Sequence, residues 1–323
     1  MLNIAIIGAG MSGITFADFL RKKTRINIFE KSRGVGGRMA TRRADPYKFS
    51  HGAQFFKIES NSFKNFLNPL LIENIVMPSN TVNVQIKNKV ISKINSKYYN
   101  GIPNINSILK YFLKNDLSLN LTCKIQRIKR IKKKWYIYDS DKISYGPFDW
   151  LVFSIPPSQA IDIICKDFKF LNTLKKIKMK SCFSLMLGFK EFKTLSYDKA
   201  LLLDEDVSWL SVDKTSSGDS NFYNVLINSS YNYANKNIKG CHEKISNYLI
   251  KKTSDILNYK LDNFDYKSLH FWRYATSEKN NNYGSFLDEN TNIIVCGDWC
   301  MNGKIEGAYL SAKDAISKFY KYI

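Results

Sequence analysis

Histidine is nearly missing from this 323-residue sequence, which has only three, at positions 51, 242 and 270. Its six cysteines (123, 165, 182, 241, 296 and 300) include no C-x-x-C pair. These counts exclude a structural zinc site, and no metal is expected. The cysteines are scattered among apolar neighbours and read as reduced thiols of a cytoplasmic protein. No apolar run approaches the ~18 residues of a membrane span, so no membrane partner is expected. The apolar N-terminus lacks a basic flank and a cleavage signal, so a signal peptide is not expected. Arginine is also scarce, with 9 against 40 lysines, and alanine (13) is rarer than asparagine (31). That bias resembles translated AT-rich coding. The formal charge of 49 − 28 = +21 is therefore read mainly as solvated surface. A nucleic-acid reader would use more arginine, in grouped positions.

What is present is a foldable chain. With 44% hydrophobic and 14% aromatic residues it can bury a full core, and its length suits about two domains. Disorder, collagen-like order and a disulfide scaffold are excluded. Four of the nine arginines (Arg33, Arg38, Arg42, Arg43) fall within eleven residues, a grouping that coding bias does not explain.

Residues 2–7 read as a buried strand, 12–23 as a helix and 26–29 as a second strand ending at Glu30. Gly8, Gly10 and Gly13 lie at the first strand-to-helix turn as G-x-G-x-x-G. The first glycine allows the turn, the second admits a pyrophosphate and the third lets helix and strand pack. The helix N-terminus favours the anion. Glu30, 17 residues past Gly13, is placed to bind ribose hydroxyls. Arg33-Gly34-Val35-Gly36-Gly37-Arg38 follows, with glycines for close backbone approach and an arginine able to fork onto a phosphate. At the far end, Cys296-Gly297-Asp298 precedes Gly303 and a final helix over 305–320. The nucleotide-binding features thus sit at the two ends of the chain. The fold class is α/β, with a discontinuous Rossmann-like domain (1–58, 101–160, 284–323) and an inserted mixed α/β substrate domain (59–100, 161–283). Between them, 104–114 reads as a helix and 119–154 as a β-meander.

The run G-A-G-M-S-G, then E-K-S-R-G-V-G-G-R, then His51-Gly52-Ala53-Gln54-Phe55-Phe56 resembles the FAD-dependent amine-oxidase superfamily, and within it the renalase-like branch. Ile155-Pro156-Pro157-Ser158-Gln159, His270-Phe271-Trp272-Arg273-Tyr274-Ala275 and the C-terminal I-E-G-A-Y-L-S continue the likeness to the end of the chain. The resemblance implies an amine-oxidase/PHBH-like two-domain architecture holding FAD non-covalently. It places Gly8, Gly10, Met11, Ser12, Gly13, Glu30, Lys31, Gly37 and Arg38 on the adenosine and pyrophosphate. Ile125 would touch the adenine side through its backbone. Gln54 would lie beside the isoalloxazine, and Asp298 and Ile305 would hold the ribityl chain and pyrimidine end. Cys300 is not a flavin attachment site. The implied activity is oxidation of isomeric dihydronicotinamide dinucleotides to NAD(P)+ by hydride transfer to flavin N5. O2 reoxidises the flavin and gives H2O2. An amine oxidase or a desaturase of another small molecule is the alternative. A non-enzymatic nucleotide- or RNA-associated protein on the same scaffold is a third reading.

Hydride transfer to a flavin requires no acid–base residue. His51 and Gln54 are nonetheless the candidates for a catalytic contact. Trp209, Trp272, Arg273 and Tyr274 are candidates for the substrate pocket wall. Lys124–Lys134 carries seven basic residues in eleven. With no aromatic residues interleaved in a recognisable RNA-binding signature, it reads as the exposed face of a hairpin, and no nucleic-acid partner is expected.

Overall fold

The computed structural model describes residues 1–323 except 114–116, 218–219 and 280. Asn3–Ile7 forms a strand with both faces apolar: Ile4 and Ile6 enter one core, Ala5 and Ile7 another. It pairs in parallel with Arg25–Phe29 on one side and Trp150–Phe153 on the other. Ser118–Asn120 and Ile293–Val295 extend this sheet in parallel, and Phe286–Asp288 ends it antiparallel. The helices Met11–Leu20, Ser107–Phe112 and Lys304–Phe319 cover the Ile4/Ile6 face, where Phe16 and Phe319 are fully buried. Each such ring contributes about 2–3 kcal/mol by leaving water. The Ala5/Ile7 face meets a three-stranded antiparallel sheet, Ile125–Ile131, Lys134–Asp139 and Ser144–Phe148, through Trp135, Ile137 and Phe148. The first domain is thus three layers around one central parallel sheet.

The meander expected over 119–154 is shorter than its alternation suggests. Ser118–Asn120 and Trp150–Phe153 belong to the parallel sheet. Trp150–Phe153 is buried on both faces, whereas Lys134–Asp139 alternates exposed and buried. The third meander strand, Ser144–Phe148, contains Gly146 and Pro147, residues that weaken a strand's periodic signal. The helix expected over 104–114 covers Ser107–Phe112, and residue 114 lies outside the described residues.

The second sheet has seven strands. In spatial order they are Tyr266–Ser277, Met179–Phe189, Ser220–Ser229, Val207–Ser217, Lys199–Leu202, Asn83–Lys87 and Val90–Lys93. Its pairings are antiparallel except Lys199–Leu202 with Asn83–Lys87. Phe183, Leu185, Leu187, Val225 and Ile227 point to one face and pack with Ile245 and Leu249 of the helix His242–Leu257. Their neighbours Cys182, Ser184 and Asn228 face the other way, toward the first domain. Within the stretch 59–100, the helix Asn61–Ile72 sends Phe63, Leu67 and Leu70 into the first domain's core, while Asn83–Lys87 joins the seven-stranded sheet.

Candidate functional site

A cleft of about 780 Å³ runs between the two sheets, from the first strand-to-helix turn to the inner face of the second sheet. At its first end the backbone sets the shape. Gly8 has φ +107°, and a Cβ there would lie 2.8 Å from Ile155 Cγ2. A Cβ on Gly13 would lie 2.2 Å from the Gly8 carbonyl oxygen, so only hydrogen fits where the helix meets the strand. Gly10, by contrast, has nothing within 4 Å of its missing Cβ. The first N–H groups of the helix lack partners within it and open on this space. The second glycine loop faces the first: Gly36 N–H donates to the Ala9 carbonyl at 3.0 Å, and a Cβ on Gly37 would sit 3.7 Å from Gly10 Cα. Glu30 is buried and held by two backbone donors, Ala9 N–H at 2.9 Å and Ser32 N–H at 2.8 Å. Its carboxylate keeps lone pairs for a further donor.

Across the cleft, Arg38 reaches the other end of the chain. Its guanidinium forks onto Asp298, with Nη1 donating to Oδ2 at 2.8 Å and Nη2 to Oδ1, and Nη1 also donates to the Ala275 carbonyl at 3.2 Å. Asp298 sits in the short turn Asp298–Cys300 before the last helix. The Gly297 N–H there is fixed by Ser311 Oγ at 3.0 Å. Close packing of this turn on the helix needs Gly307, whose Cβ would lie 2.0 Å from the Met301 carbonyl. Ser12 Oγ donates to the Ala308 carbonyl at 2.8 Å and ties the first helix to the last.

At the second end the wall is made of side chains. His51, His270 and Trp272 form one ring cluster, with centroids 4.9 Å (His51–His270), 5.0 Å (His51–Trp272) and 4.3 Å (His270–Trp272) apart. The His51 carbonyl accepts from Trp272 Nε1 at 2.9 Å and from Ser184 Oγ at 3.0 Å. Asn228 Oδ1 lies 2.8 Å from the same hydroxyl, whose single proton serves one acceptor at a time. His51 Nδ1 is buried with no hydrogen-bond partner. Burial, with His270 and Arg42 adding repulsion and the Phe49 carbonyl opposing, lowers the His51 pKa to about 4. Burial and Arg42 lower His270 to about 4 as well. Both rings are therefore neutral at pH 7.

The cleft brings together Gly8, Gly10, Met11, Ser12, Glu30, Lys31, Gly37, Arg38, His51, Trp272, Arg273, Tyr274, Asp298 and Ile305. Gly13 lies beneath it. Gln54 does not line it. Its Oε1 instead accepts from Trp209 Nε1 at 3.1 Å, in a cluster with Phe55. Ile125 is buried at the start of the meander, outside the cleft wall. Sequence reasoning assigned no role to Ser154, Gln159, Cys182, Ser184, Asn228 or His270, all of which line the cleft. The available signal was a small polar residue inside an apolar strand, such as Ser184 between Phe183 and Leu185.

Residues 6–70 match the family described as NAD(P)-binding Rossmann-like domain. Bovine (Bos taurus) prenylcysteine oxidase 1 is 26% identical over 178 residues, 54% of this chain. The matched segment spans 34% of that relative, about a third of its length. A protein provisionally assigned as a protoporphyrinogen oxidase, from Exiguobacterium sp. 255-15, superposes with a TM-score of 0.79 at 9% identity, covering 100% of this chain and 99% of its own. A cofactor-binding redesign of putrescine oxidase superposes with a TM-score of 0.71 at 11% identity, over 99% of each chain. The chain therefore has the two-domain α/β fold of these oxidase structures, with a Rossmann-like domain built on its N-terminal segment.

Proposed function

We propose that the chain is an FAD-dependent oxidase of the amine-oxidase superfamily whose substrate is a dihydronicotinamide dinucleotide reduced at the less usual ring carbon. The cleft suits a dinucleotide cofactor: open space at Gly10, the helix N-terminus, the fixed Glu30 carboxylate and Arg38 line one cleft. The Gly8–Gly13 turn and Arg38 would hold the pyrophosphate, Glu30 a ribose, and Asp298 and Ile305 the ribityl and pyrimidine end. Bound FAD would supply hydride acceptance, with O2 as the final acceptor and H2O2 as the product. Cys300 is fully buried and does not line the cleft, which supports non-covalent binding.

The observation that carries the substrate class is the charge of the wall. Among the described lining residues the carboxylates are Glu30, which the cofactor ribose would engage, and Asp298, which Arg38 holds. Lys31 and Arg273 line the same cleft, with Arg38, whose charge Asp298 balances, and Lys304, which shares its charge with Glu59. A protonated amine would enter against these cations with no carboxylate free to receive it. An anionic dinucleotide is drawn in by them. The neutral His51–His270 pair leaves the far wall polar but uncharged, and the Trp272 ring beside it offers a flat apolar surface to a nicotinamide ring.

The purified protein is expected to be yellow. Anaerobic mixing with isomeric dihydronicotinamide dinucleotides should bleach the flavin, and air should restore it with release of H2O2. Bleaching by amines but not by dihydronicotinamides would defeat the substrate assignment. A colourless protein that takes up no FAD would defeat the whole reading.

A further inference from the structure

The basic segment 124–134 does not line the cleft, although it starts just past Cys123, whose N–H donates to the Glu30 carbonyl at 2.9 Å, and the fold gives it a surface that its linear sequence does not display. Ile125–Ile131 and Lys134–Asp139 form an antiparallel hairpin, turned at Lys132 and Lys133 with φ 47° and 64°. Residues directly opposite one another share a face. Trp135 and Ile137 point inward to the core. The outward face carries three cross-strand pairs: Arg127 opposite Tyr138, Lys129 opposite Tyr136, and Ile131 opposite Lys134. Arg127 lies over the Tyr138 ring, its Cζ 4.2 Å from the centroid. Cations and tyrosine rings therefore alternate across the strands, an arrangement invisible when residues 124–134 are read alone because the rings belong to the next strand.

Most of the charge on this face is uncompensated. Lys134 is tied to Asp149, and Arg130 turns away to the Asn290 carbonyl. Among the described residues, Lys124, Arg127, Lys129, Lys132 and Lys133 make no ion pair with a carboxylate of the chain. Tyr136 and Tyr138 stand two residues apart on one strand, ~7 Å, with their rings partly exposed. A sheet face presenting rings at that interval, the Tyr138 ring capped by the Arg127 guanidinium and both flanked by cations without carboxylate partners, can stack unpaired bases on ring and guanidinium planes and hold the phosphates between them. A purely electrostatic surface needs no rings, and a membrane-inserting one needs a larger apolar edge than Ile131 alone provides.

We propose that the outward face of this hairpin (Arg127, Lys129, Tyr136 and Tyr138, with Lys132 and Lys133 at its tip) binds single-stranded nucleic acid without reading its sequence. The site is separate from the dinucleotide cleft and does not depend on the function assigned to it. Few phosphates are reached, so binding is weak, on the order of micromolar at low salt, and steeply salt-dependent. With three or four phosphates neutralised, log K falls with log salt at a slope of about −2 to −3.

The test is fluorescence anisotropy of the full-length protein with fluorescein-labelled 12-nucleotide oligo-U and oligo-dT, a duplex of equal length, and vesicles of mixed phosphatidylserine and phosphatidylcholine. Both single strands should bind and the duplex should bind more weakly. Replacing both tyrosines with Ser should weaken single-strand binding about tenfold or more, at unchanged flavin content and melting temperature. Y136L alone, which keeps apolar cover but loses the ring, should give a smaller loss in the same direction. Arg127→Gln with Lys129→Gln should lower affinity and flatten the salt slope. Equal affinity for duplex and single strand, or ring variants that bind like the parent, would overturn the proposal. So would vesicle binding without oligonucleotide binding, or no binding at ~50 mM salt.

Discussion

The two ends of the cleft are built on different plans. The end proposed to hold the dinucleotide is made by backbone: glycine turns, helix N–H groups and a carboxylate held by two main-chain donors. Most of it lies within residues 8–38, with Asp298 added from the last domain segment. The far end is made by side chains on three separate strands and one loop, with Ser184, Asn228, His270 and His51 meeting through sheet register. A backbone site fails when a side chain is added. A side-chain site retunes when one is exchanged. The dinucleotide end should therefore be brittle and the far end adjustable, and each prediction below strains that contrast.

The largest effect is expected at Gly13. Any side chain there meets the Gly8 carbonyl, a backbone atom that cannot step aside. Gly13→Val should cost several kcal/mol, beyond the ~1–3 kcal/mol typical of overpacking. It should abolish FAD copurification, read by the visible absorbance of the purified protein and by its melting temperature. A G13V protein that melts normally and stays yellow would remove the basis of the contrast.

Arg38 comes next. Arg38→Ala removes charge-assisted hydrogen bonds worth about 1.5–3 kcal/mol and leaves the buried Asp298 carboxylate without its guanidinium. The dissociation constant for FAD should rise about 10- to 100-fold by titration of the apoprotein. Lys129→Ala on the meander should leave that constant unchanged. Equal losses from the two would mean that global charge, not the local fork, retains the cofactor.

The plan of each end also decides what could be read in advance. The placement of Gly8, Gly10, Gly13 and Glu30 about one strand-to-helix turn was legible because a turn that needs glycine leaves its spacing in the sequence. Ser184, Asn228 and His270 were not, because their meeting depends on which strand pairs with which and in what register. Ser184 opposite both His270 and Asn228 is a fact of three strands, and no periodicity in any one of them states it. The same limit hid the tyrosines beside the basic hairpin. It also merged the meander with two strands of the parallel sheet, since short apolar runs look alike until burial on the second face is known.

The far end should declare itself in pH. His51 and His270 are both lowered to about 4 in the folded chain against an ordinary 6.5, so the unfolded chain binds more protons between those values. Stability from this pair is complete above about pH 6.5 and is lost as pH falls toward 4. The melting temperature should therefore drop by several degrees between pH 7 and pH 4.5, and less in His270→Asn. The two rings repel one another when charged, so the single variants should not add up to the double. An unchanged pH profile in H270N would show the pair to be wetter than its geometry indicates.

The smallest effect is the sharpest for the comparison. Ser184→Ala removes one hydroxyl that serves either the His51 carbonyl or Asn228. The His51 carbonyl keeps its bond from Trp272, so that partner is not orphaned. Asn228 Oδ1 borders the open cleft, where water can replace the lost donor. The stability cost should be about 1 kcal/mol or less, with FAD affinity unchanged. The substrate end alone should respond, as a few-fold change in kcat/KM for flavin reduction measured by anaerobic stopped flow. If S184A instead loosened the flavin, the two ends would be one mechanical unit, and the division between a backbone-built and a side-chain-built half would fail where it is most easily separated.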